Sequence, residues 1–389
     1  MLKERLDTAL ANHFNSGRQR TLCTREGRQG TRVAIGDRQF VNFCSNDYLG
    51  LAADDRVIAR VKNEVGHQGF GSGAAALLSG RSCLHVELER KLTAFTGTEA
   101  ALLFSSGYLA NLGALEALLV ARDAAHHDRL NHASLIDGVI ASKVRHRRFP
   151  HLDYEVLDDR LANSDSALSW VITESVFGMD GAEAPLGHLA DICGRRGAEL
   201  YIDDAHGFGV TGGGRGAFAQ MPEQERQRSI FMVTFGKALG SVGAAILGSG
   251  TVIEYLVQNA RTFVYDTALP PVCAAASLEA LDVLETDPEP LQRLRDNISY
   301  FRGLCDQAGL ELMPSDTPIQ PLMLHTEHRA VSVAAAVTGD GFFVRAIRPP
   351  TVPVGTARIR ITLSATHNRR ELHGLVNSLQ KGLAECPLA

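Results

Sequence analysis

Apolar residues along the chain fall into two periodicities. Residues 1–16 place Leu2, Leu6, Leu10 and Phe14 on one stripe, an amphipathic helix that Gly17 ends. Residues 31–35 and 39–43 alternate across Gly36-Asp37, the pattern of a β-hairpin. From about residue 52 helical and strand patterns take turns. Helices are expected at 54–67, 83–96, 107–121, 133–142, 184–196 and 252–261, and short apolar strands at 100–104, 145–148, 168–173, 198–203, 229–234 and 244–247. Strands separated by helical stretches imply crossover connections and a mostly parallel sheet covered on both faces. In such sheets ligands gather beyond the carboxyl ends of the strands. Ser105-Ser106-Gly107, Asp203 and Thr234 all fall at such ends.

The pattern changes near Asp287-Pro288-Glu289-Pro290. Beyond it a helix at 291–308, a strand at 319–324, a helix at 328–338, strands at 342–347 and 358–363 and a helix at 368–383 make a smaller α+β lobe. The N-terminal hairpin is a candidate to join it. The expected organisation is an N-terminal helix and hairpin (1–50), a large α/β domain (51–287) and a small C-terminal domain (288–389).

Composition narrows the class. With 389 residues, 45% of them hydrophobic, the chain can bury a large core and form more than one lobe. A net charge of −5 argues against a nucleic-acid binder, and the basic run Lys143-Val144-Arg145-His146-Arg147-Arg148 reads as a solvated strand edge. The seven cysteines are scattered without a CxxC pair, which fits reduced thiols and a cytoplasmic protein. The first residues lack the apolar core of a signal peptide, and no stretch has the apolar length of a membrane span.

The candidate chemistry centres on Thr234-Phe235-Gly236-Lys237-Ala238-Leu239-Gly240, directly after a buried-strand pattern. A lysine that forms an imine needs a depressed pKa and close packing around its stem, which burial and flanking glycines allow. A second strand ends in Asp203-Asp204-Ala205-His206. Pyridoxal phosphate needs both an imine-forming lysine and a carboxylate at its pyridinium nitrogen. Asp203 and His206 also fit a metal pair, but no third or fourth ligand has matching spacing. Gly107 opens a helix where free N–H groups can hold a phosphate. His132 stands at another strand-to-helix turn, and Arg358 and Arg360 alternate onto one strand face, where one can clamp a carboxylate. Each stretch taken alone also fits an ordinary turn, cap or solvated edge.

Together, SNDYLGL, GFGSG, SSGYLAN, DRLNHAS, DDAHGFG, TFGKALG and IRPPTVPVGTARIRIT, in that order, resemble the pyridoxal-phosphate-dependent α-oxoamine synthases. The resemblance runs from about residue 20 to 380 and implies a fold-type I homodimer with active sites at the subunit interface. By position it implies Lys237 as the cofactor lysine, Asp203 at the pyridinium nitrogen, His206 at the ring hydroxyl and His132 stacked on the ring. The backbone of Gly107 and Tyr108 and the Thr234 side chain match phosphate contacts, and Thr267 matches one lent by the partner subunit. Asn46 and Arg360 match the amino-acid carboxylate site, and Arg20 and Thr351 match acyl-substrate contacts. IRPPTVP favours the branch that condenses L-alanine with a pimeloyl thioester, of coenzyme A or a carrier protein. The alternatives are a sister enzyme using glycine or another acyl-CoA, and an inactive structural subunit.

Two departures stand out. Gly178 replaces the serine usual in the family's Phe-Ser-Met-Asp-Gly, and Ala74, Ala75, Ala76 and Leu77 replace polar or basic residues in the glycine-rich loop. The apolar loop is expected to favour the methylenes of a long acyl chain. Asp204, which alternation sends to the opposite face from Asp203, is expected to tolerate substitution.

Overall fold

The computed structural model describes residues 1–15 and 19–387. Helix α1 (Leu2–Asn15) carries the expected stripe, and every described side chain on it is exposed. Gly17, expected to end it, lies outside the described residues. Strands β1 (Arg32–Ile35) and β2 (Arg38–Asn42) form the hairpin. The large unit follows as α2 (Asp55–Gln68), α3 (Cys83–Thr96), β3 (Ala100–Phe104), α4 (Gly107–Leu118), β4 (Ala124–Asp128), α5 (Ala133–Ser142), β5 (Arg145–Phe149) and α6 (Tyr154–Ala162). It continues through β6 (Ser169–Glu174), α7 (Leu186–Arg196), β7 (Glu199–Asp203), α8 (Glu223–Arg228), β8 (Ile230–Thr234) and β9 (Ala244–Gly248). Helices α9 (Gly250–Asn259), α10 (Arg261–Val264) and α11 (Pro271–Thr286) close it.

These strands make one seven-stranded sheet in the order β3-β9-β8-β7-β6-β4-β5, in which only β9 runs against the rest. Alternation along each strand divides the core: Leu103, Val171 and Ile202 face one side, and Leu102, Ile172 and Tyr201 the other. Burying such side chains contributes about 1.5–3 kcal/mol each, which drives the helices onto both faces. Strand β5 is the edge strand, and its Arg145, His146, Arg147 and Arg148 are exposed, so the basic run is a solvated edge as expected.

The rest consists of α12 (Glu289–Gln307), β10 (Ile319–His325), α13 (Glu327–Gly339), β11 (Phe342–Phe343), β12 (Ala346–Ile347), β13 (Ala357–Thr362) and α14 (Arg369–Glu385). Strands β10, β13 and β12 form an antiparallel sheet, and β11 pairs with β2 of the hairpin. The strand expected over 342–347 is therefore two short strands in two different sheets. Five elements escape the pattern: β4, whose His126, His127 and Asp128 interrupt the apolar run, α6, the short helices α8 and α10, and α11, which starts on consecutive prolines. All seven cysteines are free, and among the described residues no helix is long and apolar enough to cross a membrane.

Candidate active site

Three adjacent parallel strands each deliver a functional residue, Glu174 on β6, Asp203 on β7 and Thr234 on β8, and β3, beyond the antiparallel β9, leads into Ser105 to Gly107. Lys237 lies in the turn after β8, held by hydrogen bonds from Gly240 N to Lys237 O (2.9 Å) and from Ser241 N to Phe235 O (2.8 Å). Gly240 has φ +63, and a Cβ there would sit 2.1 Å from the Ala52 nitrogen. Only glycine lets this turn pack against the segment that follows SNDYLGL. Burial brings the Lys237 ammonium down to about 8, although Asp203 and Glu174 pull it upward.

Asp203 is buried and fixed from helix α4 and from the turn that follows its own strand. Its Oδ2 accepts from Asn111 Nδ2 (2.7 Å) and its Oδ1 from Ala205 N (2.9 Å). The Asn111 amide is oriented in turn, donating to Ser134 Oγ (2.9 Å) and accepting from the Tyr201 hydroxyl (2.8 Å). Across the site His206 Nδ1 lies 2.6 Å from the buried Tyr48 hydroxyl. Burial, with Lys237, Arg360 and His132 nearby, holds the His206 ring well below its ordinary value, so it is neutral. A Cβ at Gly178 would meet His206 Nε2 at 2.6 Å. The family's serine therefore does not fit this arrangement of His206, which accounts sterically for the glycine.

His132 caps α5, with Nδ1 2.8 Å from Ser134 Oγ, and its exposed ring stands edge-on to Tyr108. Its backbone N–H donates to Glu174 Oε1 (2.6 Å), and the Gly178 N–H reaches Glu174 Oε2 at 3.3 Å. Burial first, then repulsion from Asp203, push the Glu174 carboxyl up to about 8, with Lys237 opposing. Arg360, from the small sheet, donates through Nε to Gly178 O (2.6 Å), through Nη2 to Asn46 Oδ1 (3.1 Å) and through Nη1 to Thr362 Oγ1 (3.0 Å). Arg358 reaches Met179 O at 3.5 Å on the same side, as strand alternation requires.

The structure thus gathers Lys237, Asp203, His206, His132, Asn46, Arg360 and Gly178 into one cluster, with Thr234 beside Gly107 at the first turn of α4. Three expected contacts lie elsewhere. Thr267 is exposed, and its backbone bridges to Ala75. Arg20 and Thr351 do come together, in a cleft of about 1290 Å³ beside α1 that shares no lining residue with the lysine cluster. Glu174, Asn111 and Tyr48 were not singled out from sequence. Tyr48 lies inside SNDYLGL and Asn111 inside SSGYLAN, while Glu174 ends a strand just as Asp203 does, and that strand-end position was its available signal.

These residues fit pyridoxal phosphate. The Gly107 and Tyr108 N–H groups have no acceptor within α4. A Cβ at Gly107 would press on Met232 Sδ (3.4 Å) and approach Thr234 Cβ (3.7 Å), so glycine keeps the cradle open beside the Thr234 hydroxyl. That donor set suits a phosphate, the carboxylate suits a pyridinium nitrogen, and a lysine near 8 suits imine formation. Among the described residues no three His, Cys, Asp or Glu side chains gather as metal ligands.

Fold and site together define a fold-type I enzyme that uses pyridoxal phosphate, and the chain belongs to the family "Aminotransferase class I and II", whose model matches residues 38–379. A serine palmitoyltransferase from S. paucimobilis, solved with bound PLP-myriocin aldimine, is similar with a TM-score of 0.91 at 27% identity, over 98% of this chain and 97% of that one. More particularly, the chain belongs with the 8-amino-7-oxononanoate synthases. It is 44% identical to the one from Saccharophagus degradans over 96% of this chain and 94% of that relative. The crystal structure of the synthase from Francisella tularensis is similar with a TM-score of 0.77 at 30% identity, over 89% of this chain and 98% of that one.

Proposed function

We infer that this chain condenses L-alanine with a pimeloyl thioester, releasing carbon dioxide and the thiol carrier and forming 8-amino-7-oxononanoate for biotin synthesis. The observation that carries the reading is the meeting of Lys237 and Asp203 beside the Arg360–Asn46 pair, in a chain with full-length relatives of that activity. Pyridoxal phosphate, when bound, supplies an electron sink for a carbanion at the alanine Cα. Asp203, held by Asn111, would keep the ring nitrogen protonated, His132 would pack on the ring, and Gly107, Tyr108 and Thr234 would hold the phosphate.

Arg360 and Asn46 take the alanine carboxylate and orient the Cα–H toward Lys237. With its pKa near 8, Lys237 has a substantial free-amine fraction at neutral pH and can take that proton. The new carbon–carbon bond joins Cα to the thioester carbonyl, and the thiolate departs. The Cα–carboxylate bond then breaks to release carbon dioxide, and Lys237 returns a proton to Cα. Arg20 and Thr351 face the acyl chain or its distal end. Thr267 serves the partner subunit's phosphate site in a homodimer, and the free cysteines fit a cytoplasmic setting.

The test is the specificity constant of L-alanine and glycine with pimeloyl-, succinyl-, acetyl- and palmitoyl-CoA. Alanine with pimeloyl-CoA is expected to be best. Preference for glycine with a short acyl-CoA would reassign the substrates to a sister activity.

A further inference from the structure

Among the described residues, the hydroxyl of Tyr48 is the group paired with His206 Nδ1, and Tyr48 is completely buried. Three facts determine which atom carries the proton. First, Arg360, which donates to the neighbouring Asn46 Oδ1 at 3.1 Å, can only donate and so offers the Tyr48 proton no acceptor. Second, the other acceptor near the Tyr48 hydroxyl is Asn46 Oδ1, at 3.4 Å and already taken by Arg360 at 3.1 Å. That separation is long for an O–H donor, whereas 2.6 Å to Nδ1 is ideal. Third, His206 is neutral in this site, so only one of its nitrogens bears hydrogen. The Tyr48 proton therefore points at Nδ1, and the His206 hydrogen resides on Nε2. Nε2 is also the atom that reaches into the space kept open at Gly178.

We propose that Tyr48 is a positioning residue: by donating to His206 Nδ1, it fixes the tautomer that offers Nε2–H to the cofactor ring oxygen. The proposal rests on the assignment of His206 to the ring oxygen. The titratable and charged groups facing His206 are Lys237, Arg360 and His132, and burial lowers the His132 pKa in turn.

The measurement is the pH titration of the visible band of the holoenzyme for wild type, Tyr48→Phe and His206→Ala. A donor at the ring oxygen draws charge from it and makes the adjacent nitrogen held by Lys237 less basic. Losing the donor in His206→Ala is expected to raise the titration midpoint. Tyr48→Phe, which keeps the buried ring and removes one hydrogen bond, is expected to raise it by about half a unit to one unit. A shift in His206→Ala with none in Tyr48→Phe overturns the role of Tyr48 and leaves His206 in place. No shift in either variant overturns both. Nitrogen-15 NMR of wild-type holoenzyme gives the answer without relying on a variant that folds. An unprotonated Nδ1 with a protonated Nε2 on His206 supports the proposal, and the reverse tautomer overturns it.

Discussion

Gly178 and Asp204 show how much a single position can constrain. A Cβ at Gly178 would lie 2.6 Å from His206 Nε2, so Gly178→Ser must displace that ring. Overpacking of this kind costs about 1–3 kcal/mol. The variant is expected to bind pyridoxal phosphate more weakly and unfold at lower temperature, as read by cofactor titration and calorimetry. Unchanged affinity would mean that the His206 ring moves aside freely. Asp204 corrects an expectation. Alternation does turn it away from the Asn111 side of the strand, but its carboxylate is fully buried and accepts from the Ser175 hydroxyl and from Ala217 N at 2.8 Å. Cβ atoms at Gly207 and Gly216 would both strike its oxygens. Asp204→Asn turns an amide toward these donors and is expected to cost about 1–3 kcal/mol of stability, with turnover retained in the folded fraction. Asp203→Asn also turns an amide toward N–H donors, from Asn111 and Ala205, so it is expected to lose stability of similar size and, unlike Asp204→Asn, nearly all turnover as well. Comparing both variants by calorimetry and assay separates the two roles.

Between elements, His151 anchors the loop after β6. Its Nδ1 lies 3.0 Å from Asp128, its Nε2 is 3.4 Å from Asp180, and its ring packs edge-on against Phe177 at 4.5 Å. Burial alone would lower its pKa, but the two carboxylates outweigh burial and raise it to about 9. The folded-state value exceeds the ordinary one, so the stabilisation is complete below about 6.5 and disappears as pH rises through 9. His151→Gln is expected to lose up to about 3 kcal/mol at pH 6 and to converge on wild type by about pH 10. A melting difference that does not change with pH would refute the charged state. Nothing in the sequence announced this anchor, because Asp128, His151 and Asp180 come from three separate segments. Strand β4, which supplies Asp128, was itself masked by its polar residues. The strands with clean apolar runs, β3, β8 and β9, were legible to within a residue.

At the scale of the molecule, the site residues on strand ends could be read from sequence because the parallel sheet collects them automatically. The roles proposed for Thr267, Arg20 and Thr351 rest on resemblance alone, since no periodicity places them near Lys237. Thr267 is exposed, as are Tyr265, Leu77, Leu78 and the apolar stripe of α1, and a partner subunit would cover such surfaces. If Thr267 serves the partner's site, mixing Lys237→Ala chains with Thr267→Asp chains assembles dimers with one intact site. Activity is then expected to recover to about a quarter of wild type on random pairing. No recovery from two inactive parents would place Thr267 in its own subunit's site or remove it from catalysis. Arg360 and Arg358 join the two sheets by grasping the carbonyl oxygens of Gly178 and Met179 rather than their side chains. Backbone oxygens survive mutation, so evolutionary drift at 178 can exchange one residue for another, and retune the chemistry beside the ring, without loosening the hold of one lobe on the other.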